Sequence, residues 1–339
     1  MTIEPIKRVA VLGTGGWGTA LATHLARLGK EVRLWGRNTT LIAEMVKYRR
    51  NTTYLPGVEL PRRVQPTQSL EESLRDASCV VCAVPSHGTR DILTCAAPFV
   101  KPDAVIVSAS KGLEEVTLLR MSEVIKKELG SGRRIAVLSG PSFAIELARE
   151  APTAVAVAGT CEEVVSAVQH EFRSAYFRLY ASSDVVGVEM GGALKNVIAI
   201  AAGVAESLGL GHNARSALIT RGLAEISRLA VGVGGRRDTL AGLSGLGDLV
   251  LTCTGELSRN RYVGIELGRG RALRDILAGM HTVAEGVRTT DAALSLGARH
   301  SVELPIAAKM AEVLAGKQNP MAAVKDLMLR RQRSEIEDG

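Results

Sequence analysis

Aromatic residues are scarce: four Phe, five Tyr and two Trp make up 3% of a 339-residue chain. Stacking platforms for bases are therefore few, and the net charge of +7 is spread along the chain without long basic blocks. This composition argues against nucleic acid and for small anionic ligands as partners. The five cysteines, Cys79, Cys82, Cys95, Cys161 and Cys253, are odd in number and mostly lie in apolar segments, which points to a reducing compartment. Cys79-x-x-Cys82 has no second Cys/His pair at zinc spacing and falls inside an apolar run, so both read as buried strand residues. No H-E-x-x-H, no carboxylate cluster at metal spacing and no G-x-S-x-G elbow occurs, which leaves metal hydrolysis and serine catalysis little support and no metal site to expect. No signal peptide precedes the first strand pattern, and charges interrupt every long apolar stretch. A soluble, cytoplasmic protein without integral membrane association is expected.

What the chain has in quantity is aliphatic core. Hydrophobic residues make up 46%, rich in Ala, Val, Leu and Gly, which suits packed helices and buried parallel strands. The length exceeds the roughly 100 to 200 residues of one domain, so two domains are expected. The apolar run 8–12 is followed at once by Gly13-Thr14-Gly15-Gly16-Trp17-Gly18 and an amphipathic helix. In such a strand-turn-helix unit Gly13 makes the tight turn, Gly15 admits a pyrophosphate, and Gly18 packs helix on strand, with the phosphates at the helix N-terminus. After the second strand, 32–35, no acid stands where an NAD-selective site holds the ribose; Arg37 does. NADP(H) is therefore the preferred cofactor, with NAD(H) the alternative.

Strand-like runs recur at 79–84, 104–107, 135–138 and 153–158 with helical segments between most of them, as in a Rossmann-like, doubly wound α/β sheet. The loops after them carry Pro85-Ser86-His87, Ser108 to Gly112, and Ser139 to Ala144. Ligands bind at that sheet edge, so Lys111 should face the cofactor crevice. His87, at a helix start, reads as a capping or cofactor-contact residue rather than a general base. From about Met190 the pattern becomes helical throughout, which gives a dinucleotide-binding domain over 1–188, an all-α domain over 189–331 and a polar tail over 332–339.

One stretch of the helical half stands apart. Residues 187–203 form a nearly apolar helix pattern with one cation, Lys195, one turn after Gly191 and Gly192. An ionised lysine is rarely buried without a partner. Two readings remain open on this helix alone: a proton-transfer lysine approached closely by another backbone or a ligand, or a lysine whose head snorkels to water. Further on, residues 242–249 form a glycine-rich turn presenting Asp248. Ser258-Arg259-Asn260 suits an N-cap followed by a phosphate-gripping guanidinium.

Taken together, these stretches closely resemble the bacterial-type NAD(P)-dependent glycerol-3-phosphate dehydrogenases. The resemblance runs in ordered blocks from Gly13 to about Pro305, among them Asn51-x-x-Tyr54-Leu55-Pro56-Gly57, Ser110-Lys111-Gly112, Gly140-Pro141-Ser142-Phe143-Ala144 and Gly191-Gly192-Ala193-Leu194-Lys195-Asn196. Gly16 departs from it, since the family often has Ser there, and little effect is expected. The resemblance implies reversible hydride transfer between NAD(P)H and dihydroxyacetone phosphate, giving sn-glycerol 3-phosphate for phospholipid synthesis, by a homodimer. It implies Lys195 as the acid-base group, and Lys111, Gly140, Ser142, Asp248, Ser258, Arg259 and Asn260 around the substrate. It further places Gly16, Trp17, Arg37, Lys111, Ala144, Arg259, Val283 and Glu285 around the cofactor, beside the Gly13, Gly15 and Gly18 that the turn itself assigns there. Rival readings are a two-domain dehydrogenase of carboxylate substrates and a nucleotide sensor that has lost its chemistry.

Overall fold

The computed structural model describes residues 3–280, 282–332 and 334–335; Arg333 and residues 336–339 of the expected tail lie outside them. Among the described residues ten strands form: β1 Arg8–Leu12, β2 Glu31–Trp35, β3 Arg50–Asn51, β4 Leu55–Glu59, β5 Val64–Thr67, β6 Cys79–Cys82, β7 Val105–Ser108, β8 Arg134–Ser139, β9 Thr153–Ala158 and β10 Phe177–Ser182. Eight of them make one sheet in the order β10-β9-β8-β7-β6-β1-β2-β5, while β3 and β4 pair separately. The connections carry α1 Gly16–Arg27, α2 Thr39–Tyr48, α3 Leu70–Leu74, α4 Ser86–Ala96, α5 Met121–Leu129, α6 Ala144–Ala148 and α7 Glu162–Phe172.

The central strands β6, β7 and β8 are buried along their length, as parallel strands covered on both faces must be, and Cys79 and Cys82 are among them. Burial pushes the Cys82 thiol up to about 12, so it is inert. From β5 to β8 all neighbours are parallel, but β9 runs antiparallel to β8 and β10 follows β9. The α6 segment between β8 and β9 is a single short turn of helix, and β9 reverses direction instead of crossing over. β10 escapes the sequence pattern because it alternates buried Phe177 and Leu179 with exposed Arg178 and Tyr180.

The helical half comprises α8 Val185–Ser207, α9 Gly211–Gly232, α10 Arg237–Leu240, α11 Asp248–Thr254, α12 Arg259–Gly268, α13 Leu273–Ala278, α14 Glu285–Arg299, α15 Pro305–Leu314 and α16 Pro320–Met328. The Lys195 helix is thus two residues longer at its start than the apolar pattern, because Asp184 caps it by accepting from the Gly187 N–H at 2.9 Å. α8 is long and apolar enough to cross a membrane, yet it is buried inside the protein and serves as the core helix of this half. Other helices pack around it, most intimately α12: a Cβ on Gly203 would lie 2.0 Å from the Arg261 carbonyl oxygen, and one on Gly264 1.9 Å from that of Ile200. Only glycine at both positions lets the two backbones cross so closely.

Two buried carboxylates bind elements to this core. On α8, Glu189 accepts from the Ser122 N–H and hydroxyl at 2.8 and 2.7 Å and from Arg120 at 2.6 Å, tying α8 to the start of α5. On α9, Glu225 accepts from the Ile306 and Ala307 N–H groups, each at 2.9 Å, and so caps the Pro305 end of α15. Burial pushes the Glu225 carboxyl up to about 7 against the pull of those two bonds.

Candidate active site

At the parallel strand ends, three loops and α8 converge. The glycine turn after β1 begins at Gly13, whose φ of +118° and close approach to the Ala83 carbonyl, 2.6 Å from where a Cβ would sit, exclude any other residue. The first turn of α1 has no capping side chain and no acid. Its N–H groups therefore await an acceptor, and nothing stands within 4 Å of where a Cβ on Gly15 would lie. The Trp17 indole N–H is also buried without a partner among the described residues. This donor set, open on one side, fits the pyrophosphate of a dinucleotide. Ala144, at the start of α6, lies beside Gly16, its Cβ 3.5 Å from where a Cβ of residue 16 would be. Arg37 is exposed just past β2 and hydrogen-bonds to none of the described residues.

A charged cluster closes the other side of the crevice. Asp248 is 1% exposed and is shared by two lysines, one from each half of the molecule. Its Oδ1 accepts from Lys195 Nζ in a short contact, and its Oδ2 accepts from Lys111 Nζ at 2.6 Å. Lys111 also donates to the Gly140 carbonyl at 2.9 Å and reaches Ser142 Oγ at 3.5 Å, while Ser142 itself donates to Gly140 at 2.8 Å. Lys195 donates to Thr252 Oγ1 at 2.8 Å, and Thr252 donates to the Asp248 carbonyl at 2.6 Å. An ammonium has three N–H donors. Among the described residues Lys111 engages all three, whereas Lys195 engages two and keeps one.

Lys195 does not snorkel: it is 6% exposed, and its head is held inside the cluster. The close approach expected beside Gly191 and Gly192 is realised by protein, since Cβ atoms there would lie 2.5 Å from the Ser244 carbonyl oxygen and 2.4 Å from Ser139 Oγ. Burial pushes the ammonium down to about 8, opposed by the Asp248 charge and reinforced by that of Lys111. Asp248 itself is not merely in a glycine-rich turn. Residues 243–247 wind as a wide helical turn that runs into α11, which starts at Asp248 and brings Thr252 round onto the same face.

The remaining expected residues form a second group alongside. Ser258 is the N-cap of α12, accepting from the Arg261 N–H at 3.2 Å, as its sequence position predicts. Asn260 donates to Asn196 at 2.9 Å and accepts from the Gly286 N–H at 2.9 Å. Glu285, at the start of α14, accepts from the Ser86 N–H and hydroxyl at 3.1 and 2.7 Å. Val283 is half-buried just before it. Arg259 lies on the exposed side of α12 and hydrogen-bonds to none of the described residues; the surrounding protein lowers its guanidinium somewhat, and Glu285 opposes that. It remains a cation with free donors. The second group thus joins α4, α8, α12 and α14 through Ser86, Asn196, Asn260 and Glu285, beside the lysine pair on Asp248.

Thr252, Asn196 and Ser86 are members that residue typing passed over as site residues. Only Thr252 carries a local signal, its position four residues after Asp248 on one helix face. His87 is exposed at the second position of α4 and caps nothing, so its expected capping role is not realised. Gly16 also departs from expectation, because a side chain there is not neutral: its Cβ would lie 2.7 Å from the Tyr54 carbonyl oxygen.

A nucleotide-fitted glycine turn opposite a buried lysine with one free N–H defines a nicotinamide-dependent dehydrogenase. The chain belongs to the NAD-dependent glycerol-3-phosphate dehydrogenase family, whose N-terminal model matches residues 8–165 and whose C-terminal model matches residues 184–325. It is 53% identical over 269 residues to a glycerol-3-phosphate dehydrogenase [NAD(P)+] of Citrifermentans bemidjiense, covering 79% of this chain and 80% of that one. The same-named protein of Koribacter versatilis is 51% identical over 271 residues, covering 79% and 80%. The crystal structure of glycerol-3-phosphate dehydrogenase from Coxiella burnetii superposes with a TM-score of 0.92 at 38% identity, covering 96% of this chain and 99% of that one.

Proposed function

We infer that the protein interconverts dihydroxyacetone phosphate and sn-glycerol 3-phosphate, with Lys195 as the group that gives and takes the proton. The carrying observation is the free N–H on Lys195 beside a fully engaged Lys111. NADPH or NADH, when bound, supplies the hydride. As that hydride arrives at the central carbon, the ketone oxygen takes up negative charge, and the third Lys195 N–H meets it and passes on its proton. In the oxidising direction the neutral amine accepts the alcohol proton. Asp248 and Thr252 hold the lysine nitrogen in one orientation, so the reacting geometry is set before substrate arrives. Lys111, Gly140 and Ser142 shape the wall beside the substrate. Ser258, Arg259 and Asn260 form the phosphate anchor, where the α12 N-terminus and the unengaged Arg259 favour a dianion.

Residues 1–188 are the dinucleotide-binding domain and 189–331 the helical domain. Separate apolar cores over the sheet and around α8 support the division. Arg37 gives a preference for NADP(H), because a free guanidinium past β2 matches a 2′-phosphate. The protein acts as a homodimer in the cytoplasm and feeds phospholipid synthesis; sedimentation of the purified chain tests the dimer. For the activity itself, the loss of reduced-nicotinamide absorbance is followed when dihydroxyacetone phosphate is added, with NADPH and NADH side by side. Turnover with a higher rate for NADPH is expected. Cofactor binding without turnover would favour the sensor reading, and a faster NADH rate would remove Arg37 from the cofactor preference.

A further inference from the structure

We infer that Asn51 is the positioning residue of the cofactor turn, an inference that rests on reading residues 13–18 as the pyrophosphate site. Asn51 ends β3, far from the turn in sequence, and its side chain is fully buried. Its Nδ2 donates to the Thr14 carbonyl and to Thr19 Oγ1, both at 2.8 Å, and its Oδ1 accepts from the Tyr54 N–H at 3.0 Å. Thr19 Oγ1 donates to the same Thr14 carbonyl at 3.2 Å. Both amide hydrogens and the amide oxygen are therefore committed, and the side chain has one orientation.

The consequence follows from the planarity of the peptide. In a trans unit the C=O and N–H point to opposite sides. With the Thr14 carbonyl drawn toward Asn51 and Thr19, the Gly15 N–H of the same peptide is turned away from them, and it hydrogen-bonds to none of the described residues. Asn51 thus presents a donor it never touches. Without it, the Thr14 carbonyl keeps only the longer bond from Thr19 Oγ1, and the peptide is held less firmly.

The turn and the β3–β4 pair are also matched from the opposite direction. The 2.7 Å between a hypothetical Cβ of residue 16 and the Tyr54 oxygen involves backbone, which cannot swing aside as a side chain does. Gly16 lets the 51–55 segment close on the start of α1, and the Asn51 hydrogen bonds hold it closed. A substitution at either place separates the same two surfaces, one by removing the hold and the other by wedging them apart.

The test uses the full-length protein with NADPH affinity read from fluorescence of Trp17 and Trp35, and steady-state kinetics alongside. Asn51→Ala is expected to weaken NADPH binding about tenfold, the cost of removing the shorter of the two bonds to a buried carbonyl, while kcat at saturating NADPH and the KM for dihydroxyacetone phosphate stay within about threefold. Asn51→Asp keeps the size and the acceptor for Tyr54 but turns a second acceptor on Thr14, and it should weaken NADPH at least as much; it carries the test if the alanine variant does not fold. Gly16→Ser should move NADPH affinity in the same direction. Unchanged NADPH affinity in the Asn51 variants overturns the inference, as does an equal rise in both KM values, which marks general loosening. Wild-type protein that fails to bind NADPH would instead overturn the reading of the turn itself.

Discussion

The two sides of the crevice are built from different materials. On the sheet side, the cofactor turn offers backbone: N–H groups of an uncapped helix and glycines that leave room. On the helical side, the site offers buried charge: Lys195 and Asp248, held with Thr252 beside a largely apolar core. The pyrophosphate of a dinucleotide is unchanged by the reaction and carries fixed negative charge, so a neutral, pre-shaped backbone cradle suits it. The reacting centre changes charge during the reaction, and that requires a group able to change its own. Burial lowers the ammonium to about 8 and makes the exchange feasible near neutral pH.

Replacing Lys195 with methionine breaks this contrast most severely. Turnover should fall by about 10² to 10⁴ while NADPH affinity is retained, measured by steady-state rates and fluorescence titration. In wild type, the reducing rate should decline as pH rises through about 8 and the oxidising rate should climb over the same range, because the first needs the ammonium and the second the amine. A flat profile in both directions would assign the proton to another group. Next in size, Asp248→Asn removes the charge shared by both lysines. Since Asp248 raises the Lys195 value, the midpoint of the reducing profile should move below about 8, with loss of rate at neutral pH.

Arg259→Ala tests whether the helical side grips phosphate as well as moving protons. Loss of a charge-assisted pair should raise the KM for dihydroxyacetone phosphate by roughly 10- to 100-fold with less effect on NADPH. An unchanged KM would move the anchor elsewhere. The smallest effect concerns a buried charge remote from the chemistry. The folded Glu225 carboxyl titrates near 7, above its unfolded value, so the folded state holds the proton more tightly and the contribution of Glu225 to stability is lost as pH rises through 7. Glu225→Gln keeps one of two accepted N–H bonds and does not ionise. Its melting temperature should therefore improve relative to wild type by a few degrees between pH 5 and pH 8, on the order expected for one or two kcal/mol in a chain of this size.

Features coded by neighbours in sequence were the legible ones. The Gly13–Gly18 turn announces itself between a strand and a helix, and Lys195 by being the lone cation in an apolar helix. Asp248 and Ser258 were recognisable by type, Ser258 even by its capping role. What the sequence concealed depends on distant partners. Nothing near Asp248 announces that its carboxylate serves two lysines from different halves, and Thr252 reads as an ordinary helical residue until the turn at 243–247 fixes its direction. Asn51 meets Thr14 and Thr19 only once the sheet has formed. The reversal at β9 is likewise hidden, since apolar residues in a buried strand carry no mark of direction.

The crossing of α8 and α12 at Gly203 and Gly264 leaves no slack between the helix that carries Lys195 and the helix that starts with Arg259. The pair therefore acts as a ruler. On the roles proposed above, its two ends are a proton donor and a phosphate anchor, and the span between them is set by backbone contact rather than by adjustable side chains. A phosphorylated ketone with a longer span between carbonyl and phosphate would satisfy one end only, so chain length would be discriminated without a steric gate at either end.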